Sequence, residues 1–273
     1  MKSKSKMLSA PYTIWMTIFI IVPVILVGYF AFTDKQGTFT LQNIIQVGEY
    51  SNVFIRSIWL GALATAISLV LGYPLAYIIS QRTEKMQNVM IMLVMLPMWM
   101  NFLLRTYSWM TLLENNGIIN NLLASVGLPR VQMINTAGAV VLGMVYNYIP
   151  YMILPLYNVL NKIDNSVIEA AQDLGADRRS VFLKVIIPMS MPGIISGITM
   201  VFVPAVSTFI ISKMLGGGAN LLIGDLIDMQ FLGSAYNPNL GSAISLVLMV
   251  IILICMGIMN QFDDGENTGG MLL

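Results

Sequence analysis

Long apolar runs, separated by short polar segments, make up most of this 273-residue chain. A helix needs about 20 consecutive apolar residues to cross the hydrocarbon core of a bilayer, and several of the runs reach that length. The pattern therefore predicts an all-α integral membrane protein with six transmembrane helices. We place the spans at about 12–33, 57–80, 89–113, 137–160, 189–212 and 240–260.

These spans predict one transmembrane domain over residues 1–262, followed by a short acidic, Gly-rich tail at 263–273. The composition agrees, because 57% of the residues are hydrophobic and only 10% are charged, whereas soluble domains carry about 25%. Within the fifth span, Gly193 and Gly197 have the small-xxx-small spacing that lets two membrane helices pack closely.

Charge and residue usage exclude several classes of function. The net charge of +1 cannot supply the many phosphate contacts that nucleic-acid binding needs, so no nucleic-acid partner is expected. The chain has no His and one Cys, which excludes an intrachain disulfide and argues against a metal site. We predict no catalytic residue, no metal ligand and no cofactor bound by this chain.

The distribution of Lys and Arg predicts the orientation in the membrane. Three lysines precede the first span, which is too long for a signal peptide and lacks a cleavage pattern. With both termini in the cytoplasm, nine Lys and Arg residues lie on the inner side and four on the outer side, as the positive-inside rule requires. The inner nine are Lys2, Lys4, Lys6, Arg82, Lys85, Lys162, Arg178, Arg179 and Lys184.

The same orientation places the polar segment 161–188 in the cytoplasm. Ser166 and Glu169 have the spacing of a capping box at a helix start, and Gly175 is suited to end that helix in a left-handed conformation. A second short helix is expected to begin at Asp177 and to stop before Pro188. One apolar stripe is predicted on the first helix, formed by Val167, Ala170, Ala171 and Leu174.

This segment also resembles a known motif. The triplet Glu169-Ala170-Ala171, Gly175 and the closing Ile187-Pro188 are similar to the EAA loop of ABC-importer permease subunits. The resemblance implies a coupling helix that sits in a groove of a separate cytoplasmic ATPase, although Glu169 and Gly175 also have the simpler role of delimiting a helix. The expected coupling residues are Ser166, Glu169, Ala170, Ala171, Asp173, Leu174, Gly175 and Pro188.

Candidate substrate contacts lie in two other segments. Arg105 falls well inside the third span, where a lone charge costs roughly 2.5–3.5 kcal/mol; it faces either a substrate or a polar partner at a helix contact. Asp225 and Asp228 would share one face of a helix and suit an organic cation, or they form an ordinary solvated loop face. The candidate pathway residues are Trp99, Arg105, Tyr107, Glu114, Asp225 and Asp228.

Further segments narrow the resemblance. Residues 72–77, 97–117, 154–157 and 216–231 are similar to the permeases of spermidine/putrescine ABC importers, in the binding-protein-dependent type I family. The resemblance implies the type I permease fold in a bacterial plasma membrane. The implied partners are a second homologous permease, two ATPase subunits that bind ATP and Mg, an extracytoplasmic polyamine-binding protein, and the lipid bilayer.

Two alternatives stay open at this point. Related permeases for thiamine, iron or sulfate share the same loop, so the solute is less firmly indicated than the family. An ion-coupled secondary transporter is expected to carry carboxylates inside the membrane, whereas the acidic residues here lie at or beyond the span ends. The chain itself has no nucleotide-binding loop, and no enzymatic activity is predicted.

Overall fold

The computed structural model describes residues 11–218, 220–233 and 235–269. Over these residues the chain is mostly helical, and the one β-bridge joins Thr33 to Phe39. The predicted all-α fold class is confirmed. The helices are α1 (Pro11–Ala31), α2 (Gln42–Val47), α3 (Ser51–Ser80), α4 (Glu84–Trp99), α5 (Phe102–Leu113), α6 (Ile118–Ser125), α7 (Ala137–Leu160), α8 (Asn165–Asp173), α9 (Arg178–Met189), α10 (Met191–Ser207), α11 (Ile210–Leu215), α12 (Ile223–Phe231) and α13 (Pro238–Gly269).

The chain divides into two compact units. Of the described residues, one unit comprises those from Pro11 to Phe54 together with Leu226–Leu253. Within it, the amide of Asn43 donates to the carbonyl oxygen of Thr33 at 2.8 Å, and that of Asn239 donates to the same oxygen at 2.7 Å. Carbonyl groups near a helix end lack partners within the helix. The two amide side chains supply hydrogen-bond donors to one such carbonyl and so stabilise the segment that follows α1.

The other unit comprises Ile55–Asp225 and the described residues from Ile254 to Gly269. Its centre is the close contact of α7 with α10. A Cβ atom at Gly193 would lie 3.0 Å from the carbonyl oxygen of Pro155, and one at Gly197 would lie 2.6 Å from the sulfur of Met152. A larger residue at Gly197 would displace the Met152 side chain, and one at Gly193 would press against backbone. The close packing predicted for this pair of glycines is confirmed.

Four of the described helices are long and apolar enough to cross a membrane, and six spans result if each of two bent pairs counts as one. Helix α7 covers the segment expected at 137–160. The expected spans 89–113 and 189–212 are not continuous helices. The first is broken after α4, which meets the stretch Phe102–Ser125 (α5 and α6) at 87°. The second comprises α10, bent by 61° from α9, and the start of α11.

Local chemistry explains the break at 100–101. Pro97 removes a backbone donor from the last turn of α4, and Met100 then adopts an extended conformation. Asn101 starts a new helix, because its side chain accepts a hydrogen bond of 2.9 Å from the backbone N–H of Leu103. Asn is among the preferred N-cap residues, so the chain re-enters a helix in a different direction.

The helix expected to stop before Pro188 continues through it to Met189 and ends at Ser190. Proline has no N–H and its ring clashes with the preceding turn of an α-helix. Here a turn of π-helix, Phe182–Ile186, lies directly before it, and such wider turns occur where a regular α-helix is disrupted. The prediction was wrong because it assumed α-helical hydrogen bonding up to the proline.

Some sequence predictions concern the two ends of the chain, which lie partly outside the described residues. The backbone of α13 is helical to Gly269, so part of the expected tail continues the last helix. Residues 270–273 and the side chains of the acidic tail residues lie outside the described part. So do Lys2, Lys4 and Lys6.

Candidate functional site

The start of α8 is capped by Asp164. Its Oδ1 accepts a hydrogen bond of 2.9 Å from the backbone N–H of Ser166, and the hydrogen bonds from Ser166 hold the pKa of Asp164 below its ordinary value. A carboxylate at this position also interacts favourably with the helix dipole. The predicted capping box was wrong, because Ser166 is inside the helix and Glu169 lies too far along to return to the cap.

The end of α8 is as predicted. Gly175 has φ +88°, a conformation that glycine adopts without a steric penalty. The N–H of Ala176 donates to the carbonyl oxygen of Ala171 at 3.1 Å, and the N–H of Gly175 donates to that of Gln172 at 2.8 Å. This pair of hydrogen bonds is the Schellman motif, which fixes the direction in which the chain leaves α8.

The two faces of α8 differ from the predicted stripe. Ile168 and Ala171 pack against the buried core of the second unit, whereas Val167, Ala170 and Leu174 point to solvent, Leu174 with 90% of its surface exposed. Successive residues in a helix are turned by about 100°, so Ala170 and Ala171 cannot share a face fully. Val167, Ala170 and Leu174 form the exposed stripe, an uncovered apolar surface suited to contact with another protein.

A second short helix supports α8. Asp177 caps α9 as predicted, since its Oδ1 accepts from the backbone N–H of Ser180 at 3.1 Å. The hydrogen bonds from Ser180 lower the pKa of Asp177. Arg178 and Arg179 follow on the exposed side of the first turn. The loop is thus a compact helix–turn–helix held by side-chain caps.

Sequence reasoning missed the polar residues at the base of this loop. Asn161 is the C-cap of α7, and its side chain is hydrogen bonded to Gln87 of α4. These residues lie 74 positions apart in the chain, so no local pattern reveals the contact. The only indication in the sequence was Gln87 itself, a polar residue at the start of an apolar run.

The candidate pathway residues before the fourth span do not form one cluster. Arg105 is buried, with 7% of its surface exposed, and its guanidinium lies 5.9 Å from the ring of Phe102. Trp99 and Tyr107 are largely exposed, and Glu114 follows α5 as its exposed C-cap. Arg105 therefore lies inside the second unit, where its Nε and Nη1 atoms are buried and have no hydrogen-bond partner among the described residues, while the other three lie on its surface.

The two aspartates of α12 occupy different environments. Asp225 is buried, with 5% of its surface exposed, and its Oδ2 accepts a hydrogen bond of 2.9 Å from the backbone N–H of Leu222. This is the return half of a capping box, so Asp225 is not part of a solvated loop face. Asp228 is half-buried one turn later.

The described residues include no group of three or more His, Cys, Asp or Glu side chains that could hold a metal ion. The most distinctive surface is the exposed stripe on α8, presented by a helix whose two ends are fixed. A partner can bind this stripe. Because α8 follows α7 and precedes α9 in the chain, a displacement of α8 can be transmitted to both helices.

Comparison with known sequences identifies relatives. The family model described as "binding-protein-dependent transport system inner membrane component" matches residues 68–265. The spermidine/putrescine transport system permease protein PotB of Haemophilus influenzae is 37% identical over 250 residues, covering 88% of this chain and 87% of that protein. PotB of Escherichia coli is 34% identical over 248 residues, covering 87% of this chain and 90% of that protein.

Solved structures share the fold. A bacterial ABC transporter involved in the import of the acidic polysaccharide alginate superposes with a TM-score of 0.76 at 20% identity, covering 95% of this chain and 96% of the matched chain. An inward-facing MetNI methionine ABC transporter gives 0.58 at 15% identity, covering 78% and 93%. At these identities the likeness concerns the fold alone, and the fold is that of ABC-importer permeases.

Proposed function

This chain belongs to the binding-protein-dependent transport system inner membrane component family, and on that premise we propose that it is the permease subunit of an ATP-driven importer for polyamines. The observation that carries the solute is the 37% identity, over most of both chains, to a spermidine/putrescine permease. A polyamine is a flexible molecule that carries several ammonium groups. Such a solute suits a route lined by spaced carboxylates and aromatic ring faces.

The exposed stripe on α8 supports a separate ATPase partner. Exposing the apolar side chains of Val167, Ala170 and Leu174 to water is unfavourable. A partner that covers them would remove this apolar surface from water and gain free energy. The small Ala170 lets a partner approach closely at the middle of the stripe. Two ATPase subunits, one on this loop and one on the loop of a second homologous permease, complete the proposed assembly, with a polyamine-binding protein outside.

The proposed cycle depends on a loop that is stiff in itself. ATP binding closes the two ATPase subunits on each other and displaces α8, whose ends are fixed by Asp164 and by the Schellman motif at Gly175. The spans attached to it then move between inward- and outward-facing states, an equilibrium that the nucleotide shifts. We place both termini and the segment 161–188 in the cytoplasm, where ATP is found.

Uptake by a reconstituted complex tests the proposal. The permease, its homologous partner, the ATPase and the binding protein are placed in vesicles, and the accumulation of labelled putrescine and spermidine is measured. We expect accumulation that requires ATP and stops when the ATPase is omitted, with no competition by unlabelled thiamine or sulfate. ATP-dependent accumulation of thiamine or sulfate in place of the polyamines would contradict the solute while leaving the family intact.

A further inference from the structure

Gln87 connects three helix ends beside the loop. Its Nε2 donates to the carbonyl oxygens of Ser80 (3.1 Å) and Arg82 (2.9 Å), and to Oδ1 of Asn161 at 3.0 Å. Its Oε1 accepts a hydrogen bond of 2.9 Å from the hydroxyl of Tyr157. The side chain thus joins the end of α3, the start of α4 and the end of α7.

The side chain of Gln87 is buried and its whole amide is used. Only 8% of the surface of Gln87 is exposed, and its two N–H hydrogens are shared among three acceptors. Removing these partners would leave a buried amide without its hydrogen bonds, which costs free energy. The amide therefore fixes the distance between the ends of α3 and α7.

The connection lies directly at the root of the loop. Asn161 is separated from Asp164, the cap of α8, by two residues, and that link is itself held by backbone hydrogen bonds from Lys162 to Val159 and from Ile163 to Leu160. Because this link is short and hydrogen bonded, a displacement of α8 also displaces Asn161. From Asn161 it reaches Gln87 through one hydrogen bond.

A polar-lined cavity of about 300 Å³ lies beside this contact, between Gln87 and Asn161 on one side and Asn165 and Ile168 of α8 on the other. A close-packed interior resists such movement. The cavity leaves α8 free to shift at its first turn, while the hydrogen bonds of Gln87 still connect the loop to the membrane helices.

We infer that Gln87 is a positioning residue, which passes the displacement of α8 to α3 and α4 so that three helices respond together. The inference rests on the proposed function, since it requires a partner that displaces α8. Without the amide, α7 would follow the loop while α3 and α4 stayed behind. ATP would then be hydrolysed with less transport.

The test is the number of polyamine molecules imported per ATP hydrolysed in vesicles that contain the complete complex. Gln87→Met keeps the length of the side chain and removes all four hydrogen bonds. We expect the ratio to fall by about fivefold or more, in line with typical coupling between sites, while the amount of assembled complex is unchanged. Gln132→Met, the same change at an exposed position that does not line this cavity, is expected to keep the ratio.

Two outcomes would overturn the inference. One is an unchanged ratio in Gln87→Met. If that variant does not assemble, Asn161→Ala, which removes the side-chain oxygen that accepts from Gln87, is measured in its place; an unchanged ratio there is the second. If the wild-type complex fails to import polyamines, the proposed function is contradicted. If the wild-type complex imports them and Gln87→Met has the same ratio, only the role of Gln87 is contradicted.

Discussion

The backbone N–H of Ile223 donates a hydrogen bond of 2.9 Å to the hydroxyl of Ser57, 166 positions earlier in the chain. Ser57 is fully buried on α3, and Ile223 is the first residue of α12. The first N–H groups of a helix have no partner within it. Ser57 and Asp225 together supply acceptors at this end of α12.

Ser57→Ala is expected to lower the stability of the purified protein. It leaves a buried N–H without its acceptor, at a cost of about 1–2 kcal/mol, so the melting temperature in detergent falls. Ser108→Ala is the matched control, because that exposed hydroxyl donates only to the carbonyl oxygen of Leu104 in its own helix. Equal melting temperatures for Ser57→Ala and the wild type would show that another group replaces the hydroxyl.

Gly175→Val is expected to abolish coupled transport. Apart from its two chain neighbours, no described residue has an atom within 4 Å of a Cβ at this position. The harm therefore comes from backbone strain of about 1–3 kcal/mol at φ +88°. Uptake and ATPase stimulation are measured together. Gly175→Asn, which tolerates a left-handed conformation better, should retain much of both, and full activity in the valine variant would remove Gly175 from the coupling assignment.

Leu174→Glu is expected to weaken binding of the ATPase subunit without unfolding the permease. Covering a leucine side chain stabilises a contact by up to about 1.5–3 kcal/mol, so affinity should fall tenfold or more; co-purification and titration of the ATPase measure it. Gln172→Glu adds the same charge on the opposite side of α8 and serves as control. If both variants bind the ATPase equally well, the exposed stripe is not the docking surface.

Asp225→Asn separates the charge of this residue from its role as a cap. The asparagine oxygen still accepts from the N–H of Leu222, so thermal stability should change little, whereas a charge used to guide a cation is lost. Asp228→Asn and the double variant are measured beside it, and we expect uptake to fall severalfold, most strongly in the double variant. Unchanged uptake in the double variant would leave only the structural role.

Cysteine labelling tests the orientation. In a Cys255→Ala background, Ser166→Cys and Leu232→Cys each introduce one thiol at an exposed position, Leu232 having 84% of its surface accessible. An impermeant reagent applied to intact cells should modify position 232 alone. Modification of position 166 from outside would place the loop, and with it the proposed ATPase contact, on the wrong side of the membrane.

Local patterns in the sequence were sufficient for features that depend on one residue type at one place. Gly175 ends α8 in the predicted conformation because a left-handed residue after an amphipathic helix is a local requirement. The start of α8 was misassigned for a related reason. Asp164, two positions before Ser166, is an equally good cap, and the spacing of Ser166 and Glu169 does not decide between them.

Features that depend on distant residues could not be predicted in this way. The choice of Ile168 and Ala171 as the inward side of α8 follows from the core on which the helix rests. Asp225 is charged, and nothing nearby in the sequence indicates that it is buried as a cap. The 87° bend after α4 requires Pro97, an extended Met100 and the cap at Asn101 to act together, whereas hydropathy alone indicates a continuous span.

The close contact of α7 with α10, made possible at Gly193 and Gly197, has a mechanical consequence. Segment 161–188 begins where α7 ends and leads through α9 into α10, so both of its attachments belong to the same packed pair of helices. A force applied at α8 cannot separate that pair without opening its tightest contact. A displacement that carries α7 and α10 together leaves this contact closed.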